Sequence, residues 1–277
     1  MSRFAVVLAV LLASRAAGAA EVCPRGNDPA AGPLAGGIGP ADFGAVPEAC
    51  GATDASLRLR AGLTSAPTMP DYYGRFIGAA TLRGRYQLGE RSTFSFAADA
   101  FNYRYVNTGG LASQGVSAGP ATVAFHQMFV VGAETAMSLY ARVLLPLDSA
   151  RQNGVATGLE LGSSFRMPAG ARWVIDGGVA LTAPAEITGG QTDVRFEPAA
   201  LAEAWLRLRP GLALCGGAHV LLKPFDREEK LFTVAPRLGA RFVLRRRVWA
   251  AALLEFPVAG SDRTDLIAGL FAGYTPN

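Results

Sequence analysis

The stretch SLRLRAGL, Ser56 to Leu63, alternates without a break. Leu57, Leu59, Ala61 and Leu63 fall on one parity, and Arg58 and Arg60 on the other. Successive side chains of a strand point to opposite faces, so this reads as β structure with one apolar face and one cationic face. A helix of the same residues would scatter leucine and arginine around its surface. The fold therefore turns on which environment lies on each side.

The chain has 277 residues, half of them hydrophobic, and only 17% are charged. That is too apolar for disorder and long enough for one large β domain or two smaller ones. Arginine supplies nearly all the positive charge, since the only lysines are Lys223 and Lys230.

Residues 1–20 read as a signal peptide. Met1-Ser2-Arg3 is a basic start, Phe4 to Ala13 is an apolar run, and Ala17-Gly18-Ala19-Ala20 offers small residues for cleavage. The apolar run is too short to span a bilayer as a helix. Removing Arg3 and Arg15 lowers the formal charge from +4 to 4 − 2 = +2, which argues against a nucleic-acid partner attracted by bulk charge.

Export places the chain in an oxidising compartment. Residues 21–54 form a Pro/Gly-rich stretch expected to lie in the periplasm, and Cys23 and Cys50 bracket it as a disulfide candidate. Cys215 is left over in an apolar strand pattern, where a thiol behaves as a small hydrophobe.

From residue 55 to the end the chain repeats strand, break, strand. The spacing predicts strands at about 55–65, 75–88, 92–106, 120–131, 136–147, 154–167, 171–183, 199–209, 211–223, 233–244, 247–257 and 265–275. Most have about ten residues or more, enough to cross a bilayer when tilted. GERS, VGAET, PAGA, RPG and RRR make short connections. PTMPDYYG, NTGGLASQGVSAG, DSARQNG, AEITGGQTDVRFEP, DREEKLFT and SDRTD make a second set, mostly longer and more polar. The expectation is an all-β protein: an antiparallel transmembrane β-barrel of about 12 strands, with short periplasmic turns and longer extracellular loops.

In this reading the leucines meet lipid and the arginines meet a polar lumen. An arginine on the lipid face near the midplane would cost about 2–4 kcal/mol, so the segregation matters. The lumen-lining candidates are Arg58, Arg60, Arg75, Arg83, Arg85, Arg142, Glu160, Arg166, Arg172, Asp176, Glu203, Arg207, His219, Lys223, Arg237, Arg241 and Glu255. Arg209, Asp99 and His126 share that parity in their strands. Three places resist the simple alternation. Phe94, Phe96, Ala98 and Ala100 give way to Phe101, Tyr103 and Tyr105, which calls for a bulge near Ala100. EPAALAEAWLRLRPG also fits an amphipathic helix, and VWAAALLEF is ambiguous. Trp173 suits a lipid-facing girdle, whereas Trp205 and Trp249 share parity with Glu203 and Glu255.

Over residues 55–277 this pattern resembles the porin-like outer-membrane β-barrels of Gram-negative bacteria. The terminal strand is similar to their assembly signal, with Leu266, Ala268, Leu270, Ala272 and Tyr274 alternating toward an aromatic, though Thr275-Pro276-Asn277 follow it. LLPLDSARQNGVATGLELG, Leu144 to Gly162, is similar to a strand–loop–strand signature of outer-membrane channels associated with phenol meta-cleavage pathways. The resemblance implies an outer-membrane location, contact with lipid and lipopolysaccharide, handling by the barrel-assembly machinery, and passage of small solutes. It leaves homo-oligomerisation open and names no solute.

No catalytic, metal or cofactor motif stands out. Neither histidine sits beside a nucleophile signature, and a nucleophile–base pair must be shown by geometry. DREEK, Asp226 to Lys230, matches no calcium-loop spacing. Three functions compete: a passive channel with an Arg-rich and anion-preferring lumen, a non-conducting structural or surface-interaction barrel, and an outer-membrane lipid-modifying enzyme. Rings of arginine favour anions. Arginines paired with carboxylates would instead fill the lumen.

Overall fold

The computed structural model describes residues 23, 30, 34, 45–66, 73–108, 111–130, 135–145, 155–188, 191–222, 232–245, 247–258 and 266–276. The expected leader lies outside them, as does Lys223; Arg75 lies in a strand, but its side chain is outside the description.

Fourteen strands appear among the described residues: β1 (Asp54–Ala66), β2 (Tyr73–Gln87), β3 (Ser92–Thr108), β4 (Leu111–Ser117), β5 (Ala121–Val130), β6 (Ala136–Leu145), β7 (Val155–Ala169), β8 (Trp173–Thr188), β9 (Gln191–Val194), β10 (Glu197–Arg209), β11 (Leu212–Leu222), β12 (Phe232–Arg245), β13 (Val248–Glu255) and β14 (Leu266–Tyr274). Twelve of them close an antiparallel barrel. β4 pairs only with β3 and β9 only with β8, the wall continues from β3 to β5 and from β8 to β10, and β14 pairs with β1 to shut it. Closure pairs the ladder of every wall strand on both sides, as a membrane requires of its β proteins.

All twelve predicted strands are present. β4 and β9 are additions inside two loops of the longer set, where they prolong β3 and β8 as hairpins. EPAALAEAWLRLRPG is the strand β10 and VWAAALLEF holds β13. In β10 the alternation of buried Leu201, Glu203 and Trp205 with the intervening residues prevails over the helical spacing, because both neighbouring strands supply ladders to it.

The bulge expected near Ala100 is there. Ala80 pairs with Phe101 and Thr81 with Asp99, leaving Ala100 without a partner on β2. The extra residue keeps Asp99 inside and sends Phe101 outside. Two short turns rely on glycine in the left-handed region: Gly170 (φ 82°) between β7 and β8, and Gly211 (φ 85°) between β10 and β11.

The opening stretch resolves as its alternation demands. Leu57, Leu59 and Leu63 are exposed on the outside of β1, while Arg58 and Arg60 are buried inside. Leu82, Phe96, Leu139, Leu161, Leu181, Leu238 and Leu270 extend the apolar outer face around the barrel.

Candidate functional site

The inner wall is built from ion pairs that the strand register aligns. Arg142 of β6 lies directly opposite Glu160 of β7, and its Nη1 donates to both carboxylate oxygens at 3.0 and 3.1 Å. Arg166 lies opposite Asp176, 3.2 Å away. Arg237 lies opposite Glu255 at 3.5 Å, and reaches across Gly217 of β11 to Glu203 at 2.9 Å. Arg60 of β1 is linked to Asp99 of β3 through β2: its Nη2 donates to the Thr81 hydroxyl at 2.8 Å, and that hydroxyl donates to Asp99 at 2.6 Å. Arg85 pairs with its register partner Asp54. Arginine suits such sites because its planar fork donates in two directions at once.

One sector of the wall is aromatic. Trp205, Trp249 and Phe271 point inward and pack with Val174, Ala213, Cys215 and Leu253. The Arg241 guanidinium lies 5.4 Å from the Trp205 ring and 4.8 Å from the Trp249 ring, and Arg58 lies 5.8 Å from Phe271. These are cation–π distances. Trp205 Nε1 also donates to Glu203 at 3.2 Å, tying the aromatic sector to the charged one.

The described residues of the N-terminal stretch lie within this wall. Ala30 and Leu34 are buried in the Trp205–Trp249–Phe271 cluster. Val46 approaches Gly178, where a Cβ would stand 2.7 Å from its methyl, and Leu34 approaches Gly239, where a Cβ would stand 3.2 Å away. Four wall arginines hold the stretch. Arg166 donates to the Ala30 carbonyl, Arg237 to the Leu34 carbonyl, Arg142 to the Ala45 carbonyl at 3.1 Å, and Arg85 to Glu48 at 2.6 Å. Cys23 and Cys50 are disulfide-bonded and pack with Ala49, Met128 and Ala136 where β5 ends and β6 begins. A small cavity remains between Pro47–Gly51 and the wall, lined by Glu48, Arg83, Arg85, Thr93 and His126.

Of the residues named from sequence, Arg58, Arg60, Arg85, Arg142, Glu160, Arg166, Asp176, Glu203, Arg237, Arg241 and Glu255 are buried on the inner wall. Arg83, Arg207 and His219 are half-buried on the same parity of their strands. Arg172 stands apart: it is exposed in the turn between β7 and β8, because β8 begins one residue after it, at Trp173, and not at the expected 171. Arg209, at the end of β10, is exposed as well. Glu48, Asp54 and Thr81 join the polar network without having been singled out. Asp54 shares parity with Arg58 but lies one residue before the expected start of that strand, in the stretch assigned to the N-terminal segment. Glu48 precedes any periodic segment and carries no such signal.

His126 does have a hydroxyl partner, Ser95 Oγ at 3.0 Å from Nε2. A hydrolytic triad needs a third group that orients the base and stabilises its cation. Its face stacks on Tyr140 at 5.6 Å. Among the described residues no carboxylate hydrogen-bonds this ring, so the third group is missing and the pair is a poor nucleophile–base couple. Among the described residues no group of three His, Cys, Asp or Glu side chains converges to hold a metal.

No family matches the sequence, and no curated protein matches it. Solved structures do. An outer membrane channel from Pseudomonas putida F1 is similar with a TM-score of 0.62 at 16% identity, over 87% of this chain and 100% of that one. The translocator domain of the autotransporter NalP from Neisseria meningitidis is similar at 0.55 and 12%, over 81% of this chain and 88% of that one. The NanC porin is similar at 0.50 and 8%, over 82% and 100%. The fold is that of outer-membrane β-barrels. The presence of a translocator beside channels and porins means that the fold leaves the activity open, and the lumen must argue it.

Proposed function

We propose that the protein is an outer-membrane channel for the passive passage of small polar solutes, with a preference for anions. The observation that carries this reading is the chemistry of the inner wall. A twelve-strand wall encloses more space than its own side chains fill, in contrast to eight-stranded barrels. Most of its buried polar residues are charged or hydroxylic, and described residues of a separate stretch of chain enter the space they enclose. Among the described residues seven buried arginines meet six buried carboxylates. The excess is small, so the anion preference is modest while Glu48 and the three carbonyls stay in place. Export through a signal peptide, assembly by the barrel machinery and contact with lipopolysaccharide belong to the same proposal.

Planar-bilayer recordings of the mature protein test it. Unitary current steps that reverse toward the chloride equilibrium potential under a salt gradient are the expected result. Arg58→Gln with Arg241→Gln should move the reversal potential toward zero. Silence from folded, inserted protein, under both oxidising and reducing conditions, overturns the reading. The filled lumen favours a second reading, a barrel with no pore, and that silence is its signature.

A further inference from the structure

We infer that the described residues of the N-terminal stretch, Ala30, Leu34 and 45–50, form a plug of this channel, and that the Cys23–Cys50 disulfide holds it seated. The inference rests on the channel reading above and adds how the lumen is shut.

The seat is specific. Leu34 and Ala30 fill the face of the Trp205–Trp249–Phe271 cluster, and their carbonyls accept from Arg237 and Arg166. The Ala45 carbonyl accepts from Arg142, and Glu48 accepts from Arg85. The four arginines come from β12, from β2 and from the neighbouring β6 and β7, so the stretch is gripped from three parts of the wall. Gly178 and Gly239 leave the room that Val46 and Leu34 enter. Three of the four grips end on backbone carbonyls, which any sequence supplies. Small residues at Ala30 and Ala45 let the backbone come close to the wall.

The disulfide decides how the loop can leave. Cys50 lies just before β1, so one end is tied to the barrel rim in any case. Cys23 is bonded to it across 27 positions of sequence. Both ends of the loop therefore meet at one point beside Met128 and Ala136. Closing a loop removes conformations from its released state more than from its seated one, which raises the seated fraction. Without the bond, the stretch before Cys50 is an open chain and gains that freedom on leaving. Withdrawal takes Glu48 and three carbonyls from four arginines, so the open lumen is more cationic than the closed one. The anion preference belongs to the open state.

Cys215 reports the plug's position. It is the free thiol of the native protein, buried in the cluster that Leu34 covers. The Cys23→Ser/Cys50→Ser protein carries Cys215 as its sole cysteine. The experiment compares the two folded, full-length mature proteins in lipid. It measures labelling of Cys215 by a membrane-impermeant maleimide and records single channels from the same preparations. We expect labelling about tenfold faster or more in the double-serine protein, with longer or larger open steps and a stronger chloride preference. Leu34→Lys, with the disulfide intact, puts a cation beside Arg237 and Arg241 and should also speed labelling, which covers failure of the serine variant to fold. Unchanged labelling and current in both variants overturn the plug. Full current from the native protein while Cys215 stays shielded also overturns it. Faster labelling without current supports the seat and overturns the channel reading instead.

Discussion

Trp173 and Trp205 stand one residue out of step on paired strands, Val174 being the register partner of Trp205 and Leu206 that of Trp173. Trp173 is 46% exposed on the outside, and Trp205 is fully buried inside. The same side chain at the same level of the wall serves two solvents. Outside, its ring is one element of an apolar surface that lipid covers, as in an aromatic girdle. Inside, it is packed by Arg241, donates to Glu203 and supports Leu34. Parity alone separates these fates, so a mutation's cost should depend on the face it strikes more than on the residue it removes.

The largest contrast should come from the tryptophans themselves. Trp205→Ala opens a cavity in the packed sector and should lower stability by about 4 kcal/mol. Leu270→Arg, on the outer face in the middle of β14, should cost about 3 kcal/mol and slow insertion, whereas arginine is the native residue on the inner face nearby. Glu160→Gln keeps the shape opposite Arg142 but removes its counter-charge, for a loss of about 2 kcal/mol. Trp173→Ala should cost about 0.5 kcal/mol, because the side chain is half-exposed before it is removed. Urea unfolding in lipid vesicles, followed by tryptophan fluorescence and by heat-modifiable migration, measures all four. If Trp173→Ala proves as costly as Trp205→Ala, the division into two faces does not govern stability here.

The inner pairs also need care in reading. A buried ion pair is weak evidence for stability, since desolvation offsets much of its attraction. What the pairs secure is register. Arg142 opposite Glu160, Arg166 opposite Asp176 and Arg237 opposite Glu255 each match only when the strands are aligned as they are. A slip of one residue would turn these charges to lipid.

The sequence by itself determined the barrel. Leu57 and Arg58 could be assigned to opposite faces because strand geometry makes side-chain direction a local property, and the Phe96-to-Phe101 change of parity located a bulge for the same reason. The turns at Gly170 and Gly211 were legible as PAGA and RPG. β4 and β9 were not, since short hairpin extensions among glycine and serine leave no periodic signal. Arg172 was assigned to a strand that begins one residue after it, and parity says which way a residue points only inside the strand. The tertiary structure alone decided what occupies the lumen. Arg166 and Ala30 are 136 residues apart, and Arg237 and Leu34 are 203 apart. A carbonyl held by a distant guanidinium has no signature in a stretch of alanine, glycine and proline, because every peptide offers the same oxygen. Periodicity records the two solvents that each strand meets. The partner of a backbone group depends on where the rest of the chain has gone.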